Sequence, residues 1–443
     1  MIDTLVVLGA SGDLTGRLLL PALATLRSAG ALGDGFCFVG AGPQDWTSDD
    51  FAGHVRRRLS EHAPSVGAAD RDAVTAALHY HRADVTEPGD VAAVLDVARI
   101  RTGSGAVAVY LALPTRLMLE AVRAVSTYGL PAGSRVAVEK PFGEDAESAA
   151  ELNGELAGID ESPAQPAIYR VDHALAMDGL RALHDARVPG TSRLIEWSSR
   201  QIAQIDLLWE ETLALEGRAS FYDRAGALRD VMQNHLVQLL CTIAQPRSAA
   251  EPADNASVAS ERRAEVLRAV RPLSAADVAS RTRRARYGAG RLVDSDGTEG
   301  RLVPDYTAED GVDPTRNTET FAEVILELDT PQWADTRIVL RAGKALNARR
   351  RGALLHLRTG TETGTSTDGV VWLDLDEPAA APSVAAEPAA YQRIITDLLN
   401  GGTEFAVSAA ETELAWRVFT PVLHGWAKGA VPLTTYPAGS TGP

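Results

Sequence analysis

The pattern of apolar and polar positions changes character part-way along the chain. Residues 4–8 (TLVVL) form a short, fully apolar, β-branched run; a glycine-containing turn follows, and residues 14–26 then carry an apolar stripe at helical spacing. This predicts strand, turn, helix. Short apolar or alternating runs at 36–40, 79–81, 106–113 and 135–139 predict further strands, and helical patterns such as 48–59 and 114–126 separate them. Strands alternating with helices predict an α/β unit, a parallel sheet with right-handed crossovers, over roughly the first 170 residues. Beyond residue 171 the rhythm is that of an α+β unit, with a long helical pattern at 226–243 and strand-like runs at 202–208, 321–328, 337–340 and 353–357. Segments 245–255, 287–317 and 377–388, rich in Pro, Ala, Ser, Gly, Asp or Thr, are read as surface loops. Two units are therefore expected, 1–171 and 172–443, with no repeat of fixed period.

A length of 443 residues accommodates two large domains. Lys and Arg total 43 against 59 Asp and Glu, a net charge of −16, which repels a nucleic-acid backbone and an anionic membrane surface alike. Neither is expected as a partner. The two cysteines, Cys37 and Cys241, are far apart and lack CxxC spacing, so no disulfide framework, structural zinc or other metal site is expected, and the reducing cytosol is the expected compartment. Residues 1–9 run into the first strand without a basic segment, and no apolar window reaches about 18 residues. The expectation is a chain neither secreted by a signal peptide nor membrane-spanning.

The turn Gly9-Ala-Ser-Gly12-Asp-Leu lies where an apolar strand ends and a helix begins. Its glycines allow close backbone approach, and the helix N-terminus offers free N–H groups to a pyrophosphate. The spacing is GxxG rather than GxGxxG. Choice of dinucleotide is made at the end of the second strand, where an acidic side chain holds a ribose diol and a basic one a 2′-phosphate. Here the chain reads Gly40-Ala-Gly-Pro43-Gln-Asp45, with no Arg or Lys between residues 32 and 54, so NAD is expected, with NADP possible. Asp45 either accepts from ribose hydroxyls or caps a helix starting near Trp46 or Thr47.

Three segments concentrate polar groups that a core does not need: Glu139-Lys-Pro-Phe-Gly143, Tyr169-Arg-Val-Asp172-His173, and Arg229-Asp230-Val-Met-Gln-Asn-His235. Together with the GASGDL turn and Arg341-Ala-Gly-Lys344 they resemble the glucose-6-phosphate dehydrogenase family, whose segments run GxxGDL, EKPFG, RIDHYLGK, RDMxQNHLxQ and RxGKxL. The resemblance extends over essentially the whole chain, down to Tyr436 and Pro443. It implies a Rossmann-type coenzyme domain followed by an α+β domain with a large, mostly antiparallel sheet, and a homodimer or homotetramer. It also implies hydride transfer from C1 of a glucopyranose to a nicotinamide, giving the 1,5-lactone.

Residue by residue, the resemblance makes His235 the base that takes the C1 hydroxyl proton, Asp172 its orienting carboxylate and Lys140 a contact to sugar and coenzyme near the reaction centre. It implies coenzyme contacts from Gly9, Ser11, Gly12, Asp13 and Leu14, and from Gln44 and Pro114. Glu211, Asp230 and Lys344 match sugar-hydroxyl ligands; His173 and Arg349 match 6-phosphate ligands. The chain departs from the pattern at His173-Ala174-Leu-Ala-Met177, where the family has His-Tyr-Leu-Gly-Lys, so two phosphate ligands are replaced by apolar groups. That is expected to leave room and remove charge at the sugar's C6, with Arg350 and Arg351 as compensators. Pro43 stands where NADP-preferring members have an arginine. An aldose 1-dehydrogenase for an unphosphorylated or differently 6-substituted sugar is the alternative within the class. A non-catalytic sugar- or coenzyme-binding homologue is the alternative outside it.

Overall fold

The computed structural model describes residues 1–102, 105–159, 168–186, 196–246, 256–292, 300–358, 369–376 and 386–443. Strands β1 (Thr4–Leu8), β2 (Cys37–Gly42), β3 (Leu78–Arg82), β4 (Ala108–Leu111), β5 (Arg135–Glu139) and β6 (Ile168–Val171) pair in parallel in the order β6-β5-β4-β1-β2-β3. Helices pack on both faces, which is why β1, β4 and β5 are buried at every position and read as unbroken apolar runs. The strand order reverses between β4 and β1, and in open α/β sheets ligands bind at the carboxyl ends of the strands at such a switch point.

The second sheet is built from β7 (Ile202–Glu210) and β8 (Thr282–Gly288). After the short ribbon β9 (Gly290–Arg291) and β10 (Leu302–Val303) come β11 (Phe321–Leu326), β12 (Arg337–Gly343), β13 (Arg350–Leu357) and β14 (Val370–Asp374). β15 (Ala406–Val407) returns to the first sheet, antiparallel to β6, and β16 (Leu433–Pro437) closes the second. The order is β14-β13-β7-β12-β11-β8-β16, antiparallel except at β7·β12 and β8·β16. Inward residues alternate along each strand: Ile205, Leu207 and Trp209 on β7 meet the helical layer, whereas Glu210, Arg341 and Glu323 form an ion-pair ladder across the other face.

Two loop expectations need correction. Of segment 287–317, residues 293–299 lie outside the described residues; the rest holds the end of β8, the β9·β10 ribbon and two short helical turns, and Tyr306 is fully buried, its hydroxyl donating to Asp223 at 2.7 Å. The tyrosine anchors the segment as a small core, which turn-rich composition conceals. Of segment 377–388, residues 377–385 lie outside the described residues, but Glu387 and Pro388 already belong to the helix Ala386–Asn400. Proline is tolerated in a first helical turn, so its presence did not exclude one. Of 245–255, residues 247–255 lie outside the described residues. Among the described residues no helix is long and apolar enough to cross a membrane.

Candidate active site

The first turn lies at that switch point. Gly9 has φ +94, and a Cβ there would come within 2.2 Å of the Ala112 carbonyl oxygen, so only glycine lets the turn after β1 close against the end of β4. The Thr15 hydroxyl donates to the Gly9 carbonyl at 3.1 Å, and the Gly12 N–H donates to the same oxygen at 3.0 Å. The chain then enters a helical stretch, π-helical at Thr15–Leu19, whose first N–H groups have no partner within the helix. Ser11 donates to Gln44 Oε1 at 2.6 Å, and Tyr80 to the Gln44 carbonyl at 3.1 Å, joining the turn to the end of β2. Asp13 carries ion pairs to Arg17 and Arg58, at 3.3 and 3.1 Å. Leu14 packs on the core, and Pro114 precedes the helix Thr115–Tyr128 at the end of β4. A Cβ-free cradle at a helix start fits a dinucleotide pyrophosphate. Asp45 is exposed, and the cap of the following helix is Thr47, reciprocally bonded with Asp50, so the capping alternative for Asp45 falls.

The reacting groups come from both halves. Lys140 follows β5 and Asp172 follows β6, both at carboxyl ends of parallel strands. Asp172 caps the short turn His173–Ala176, accepting from the Ala174 N–H at 3.1 Å, and its Oδ1 also receives His235 Nδ1 at 2.6 Å. His235 lies on the π-helical segment Leu228–Leu236, entered after Gly226, where φ is +69 and a Cβ would strike the Glu319 carboxylate that accepts the Leu228 N–H. The i→i+5 repeat of a π-helix aligns Asp230 with His235, and such segments cluster at functional sites. Asp172 and His235 are 1% and 3% exposed. Burial pushes Asp172 up, yet His235 beside it holds the carboxyl down at about 2.

Lys140 Nζ donates to the Asp230 carboxylate at 2.6 Å and to its carbonyl at 2.9 Å, bridging the two halves. Burial opposes the ammonium, but Asp230 outweighs it and raises the lysine pKa; burial likewise opposes the Asp230 carboxylate, and Lys140 lowers it. Glu211 and Lys344 follow β7 and β12, whose parallel register pairs Glu210 with Gly343, so the two side chains meet in an ion pair. Glu211 also accepts from Arg351 at 3.0 Å; burial raises its pKa, and Lys344 and Arg351 bring it well below the carboxylate range. Asp172, His173 and His235 offer ligand atoms within 4.8 Å of one another, but the shortest approach is the Asp172–His235 hydrogen bond.

At the far end of this group the expectations meet a different geometry. Ala174 and Met177 do not open space. Both are core residues, 2% and 0% exposed, and the helix Ala386–Asn400 packs directly on the turn that carries them. Tyr391 from that helix stacks on His173 with ring centroids 5.7 Å apart, and Arg393 donates to the Ala176 carbonyl at 2.6 Å. Arg349 is half exposed and held by Asp376 at 2.8 and 2.9 Å, and Arg350 pairs with Glu210 at 2.6 Å on the outer sheet face. Arg351 alone of the three is buried beside Glu211.

Sequence reasoning missed Trp209, Glu139, Glu387 and Tyr391. Trp209 stacks on His235 at 4.7 Å, and the period-two pattern of β7 already put it on the inner face with Leu207. Glu139 is buried, accepts from the Tyr110 and Tyr391 hydroxyls, and is pushed up by burial to about 7. Glu387 and Tyr391 lie one helical turn apart in a stretch whose Ala-Pro composition gave no helical signal before residue 389.

Comparison with known proteins places the chain in a family. Residues 6–180 match the family described as glucose-6-phosphate dehydrogenase, NAD binding domain, and residues 194–369 and 361–443 match its C-terminal domain. The first half is thus a nicotinamide-dinucleotide-binding domain. A glucose-6-phosphate 1-dehydrogenase of Treponema pallidum (strain Nichols) is 31% identical over 487 residues, covering 99% of this chain and 92% of its own length. One of Gluconobacter oxydans (strain 621H) is 30% identical over 475 residues, covering 99% and 94%. The crystal structure of glucose-6-phosphate 1-dehydrogenase from Mycobacterium avium superimposes with a TM-score of 0.80 at 27% identity, over 100% of this chain and 95% of that one. A glucose-6-phosphate dehydrogenase in complex with glucose 6-phosphate shares the fold, with a TM-score of 0.81 at 24% identity and coverage of 100% and 96%. With both of its domains matched along the chain, and with relatives of this identity spanning its length, the protein belongs to the glucose-6-phosphate dehydrogenase family.

Proposed function

We propose that the chain oxidises C1 of a glucopyranose to the 1,5-lactone, with a nicotinamide as acceptor. The observation that carries this reading is the buried Asp172–His235 pair at 2.6 Å beside Lys140, next to the carboxyl ends of the parallel strands. With Nδ1 bonded to Asp172, Nε2 is the nitrogen left to take the C1 hydroxyl proton, while Asp172 holds the ring and compensates the charge it gains. The C1–H electron pair departs as the C1=O bond forms. Bound oxidised nicotinamide supplies the acceptor for that pair. Lys140, with Asp230, Glu211 and Lys344, grips ring hydroxyls, and the ammonium of Lys140 stabilises negative charge developing on the sugar oxygen. His173 and Arg349 stand toward C6.

For the coenzyme, the reading uses Gly9, Ser11, Gly12, Asp13 and Leu14 at the pyrophosphate, Gln44 at the adenosine ribose, and Pro114 and Lys140 toward the nicotinamide. Pro43 and Gln44 at the end of β2 favour NAD over NADP, because a 2′-phosphate there needs a cation. The division of labour is coenzyme on 1–171 and sugar and self-association on 172–443, in a cytoplasmic homodimer or homotetramer. The test is a panel of initial rates crossing NAD and NADP with glucose 6-phosphate, glucose and 6-modified glucoses, with the lactone identified as product. Absence of lactone from every combination defeats the reading.

A further inference from the structure

Arg351 and Glu387 lie near the dyad but take no part in the oxidation at C1. Arg351 on β13 is 6% exposed; its guanidinium lies 4.5 Å over the Trp209 ring and donates at 3.0 Å to both Glu211 and Glu387. Trp209 stacks on His235, the His235 and His173 rings meet edge to face with centroids 4.5 Å apart, and Tyr391, one helical turn from Glu387, stacks on His173. These contacts hold Arg351 and the start of that helix beside the reaction centre. His173 is 9% exposed, and neither ring nitrogen has a hydrogen-bond partner among the described residues. Burial and neighbouring His235 bring its pKa down to about 3, so the ring is neutral. Burial opposes the Glu387 carboxylate, but the Arg351 guanidinium that donates to it at 3.0 Å keeps its pKa below the ordinary carboxylate value.

We propose that Glu387, held by Arg351, is the specificity-determining residue at the C6 end of the sugar site, and that it selects a hexopyranose with a free 6-hydroxyl over its 6-phosphate. The inference rests on the reading of the site as a sugar 1-dehydrogenase. A phosphate dianion offers only acceptors and negative charge. Here it meets a carboxylate, a neutral histidine, an arginine already shared by two carboxylates and, in Arg349, a second arginine taken by Asp376. Like charges placed together suppress a wrong partner. A hydroxyl matches the same groups: it donates to the carboxylate and accepts from the one N–H that a neutral imidazole carries. The helix Ala386–Asn400, which carries Glu387 in its first turn, packs on the turn that holds Ala174, and Ala174 and Met177 are buried there without offering a donor to an anion.

The test uses the full-length enzyme with NAD, comparing kcat/KM for glucose, glucose 6-phosphate and 6-deoxyglucose, with calorimetric binding of each sugar in parallel. The parent should favour glucose over glucose 6-phosphate by about tenfold or more, chiefly in KM, and lose affinity for 6-deoxyglucose. Glu387→Gln should move the ratio toward the phosphate by roughly 10- to 100-fold, the range of one charged contact. A parent that prefers glucose 6-phosphate by more than tenfold overturns the proposal and leaves the dehydrogenase reading standing. So does a Glu387→Gln enzyme that melts with the parent and keeps its ratio. Should the variant fail to fold, the parent's rates and binding decide alone. A protein that binds and oxidises none of the sugars defeats both.

Discussion

Replacing Asp172 with Asn isolates what the carboxylate does for His235. Asn keeps the shape, can accept from Nδ1–H and remains a good cap for the His173–Ala176 turn, so the change removes charge with little disturbance of position. The pKa of Asp172 lies at about 2 instead of 3.8 although burial works the other way. A depression of nearly two units is on the order of 2 kcal/mol favouring the charged carboxylate, with His235 the largest of the groups that lower it. His235 gains charge only as it takes the proton, so the loss falls on the transition state: kcat should drop by about 10²-fold, with KM for sugar and coenzyme affinity nearly unchanged. His235→Ala should lower kcat by about 10²- to 10⁴-fold, and the double variant should be no worse than His235→Ala by more than about threefold, because base and orienter act as one unit. The assay is nicotinamide absorbance at saturating sugar, with coenzyme affinity from protein fluorescence and thermal unfolding as a control. A folded Asp172→Asn enzyme within threefold of the parent kcat, or single losses that multiply in the double variant, would refute the reasoning.

Pro43→Arg should improve NADP binding by about tenfold or more by supplying a partner for the 2′-phosphate; steady-state kcat/KM for both coenzymes reads it, and an unimproved variant sinks the argument from Pro43. Glu139 has a folded-state pKa of about 7 against an ordinary 4.5, so the folded protein binds the extra proton between those values. Its contribution is therefore present at low pH and lost as pH rises from about 4.5 to 7, by about 3 kcal/mol in all. Thermal unfolding of Glu139→Gln across that range should fall less with pH than the parent's, and parallel curves would show that the carboxyl does not titrate there. Met177→Lys, which restores the residue type of the family pattern, should destabilise by roughly 3 to 5 kcal/mol, because the site is fully buried and the ammonium must deprotonate or force the helix away. An unchanged unfolding midpoint would mean that the lysine reaches solvent.

Local rules made much of this protein legible from its sequence. An apolar run, a glycine turn and an amphipathic stripe are each settled within a dozen residues, so β1, its turn and the helix after it could be read directly, as could the parallel sheet that such units build. His235 and Asp172 were singled out because their segments resemble those of the glucose-6-phosphate dehydrogenase family, and the structure brings the two within 2.6 Å of each other. What the sequence could not contain was distance across the fold. The bond from Lys140 to Asp230 spans 90 residues and depends on how the halves dock, and the meeting of Glu211 with Lys344 depends on a parallel pairing inside a mostly antiparallel sheet. Three consecutive arginines look equivalent in sequence. Strand alternation and tertiary partners separate them: Arg350 faces outward to Glu210, Arg351 inward to Glu211 and Glu387, and Arg349 is drawn to Asp376. The resemblance marked Ala174 and Met177 as missing ligands, but only packing decided that the helix Ala386–Asn400 would lie against their turn, with Tyr391 on His173 and Arg393 on the Ala176 carbonyl. Periodicity reports which side of an element is buried; it carries no information about which remote element buries it.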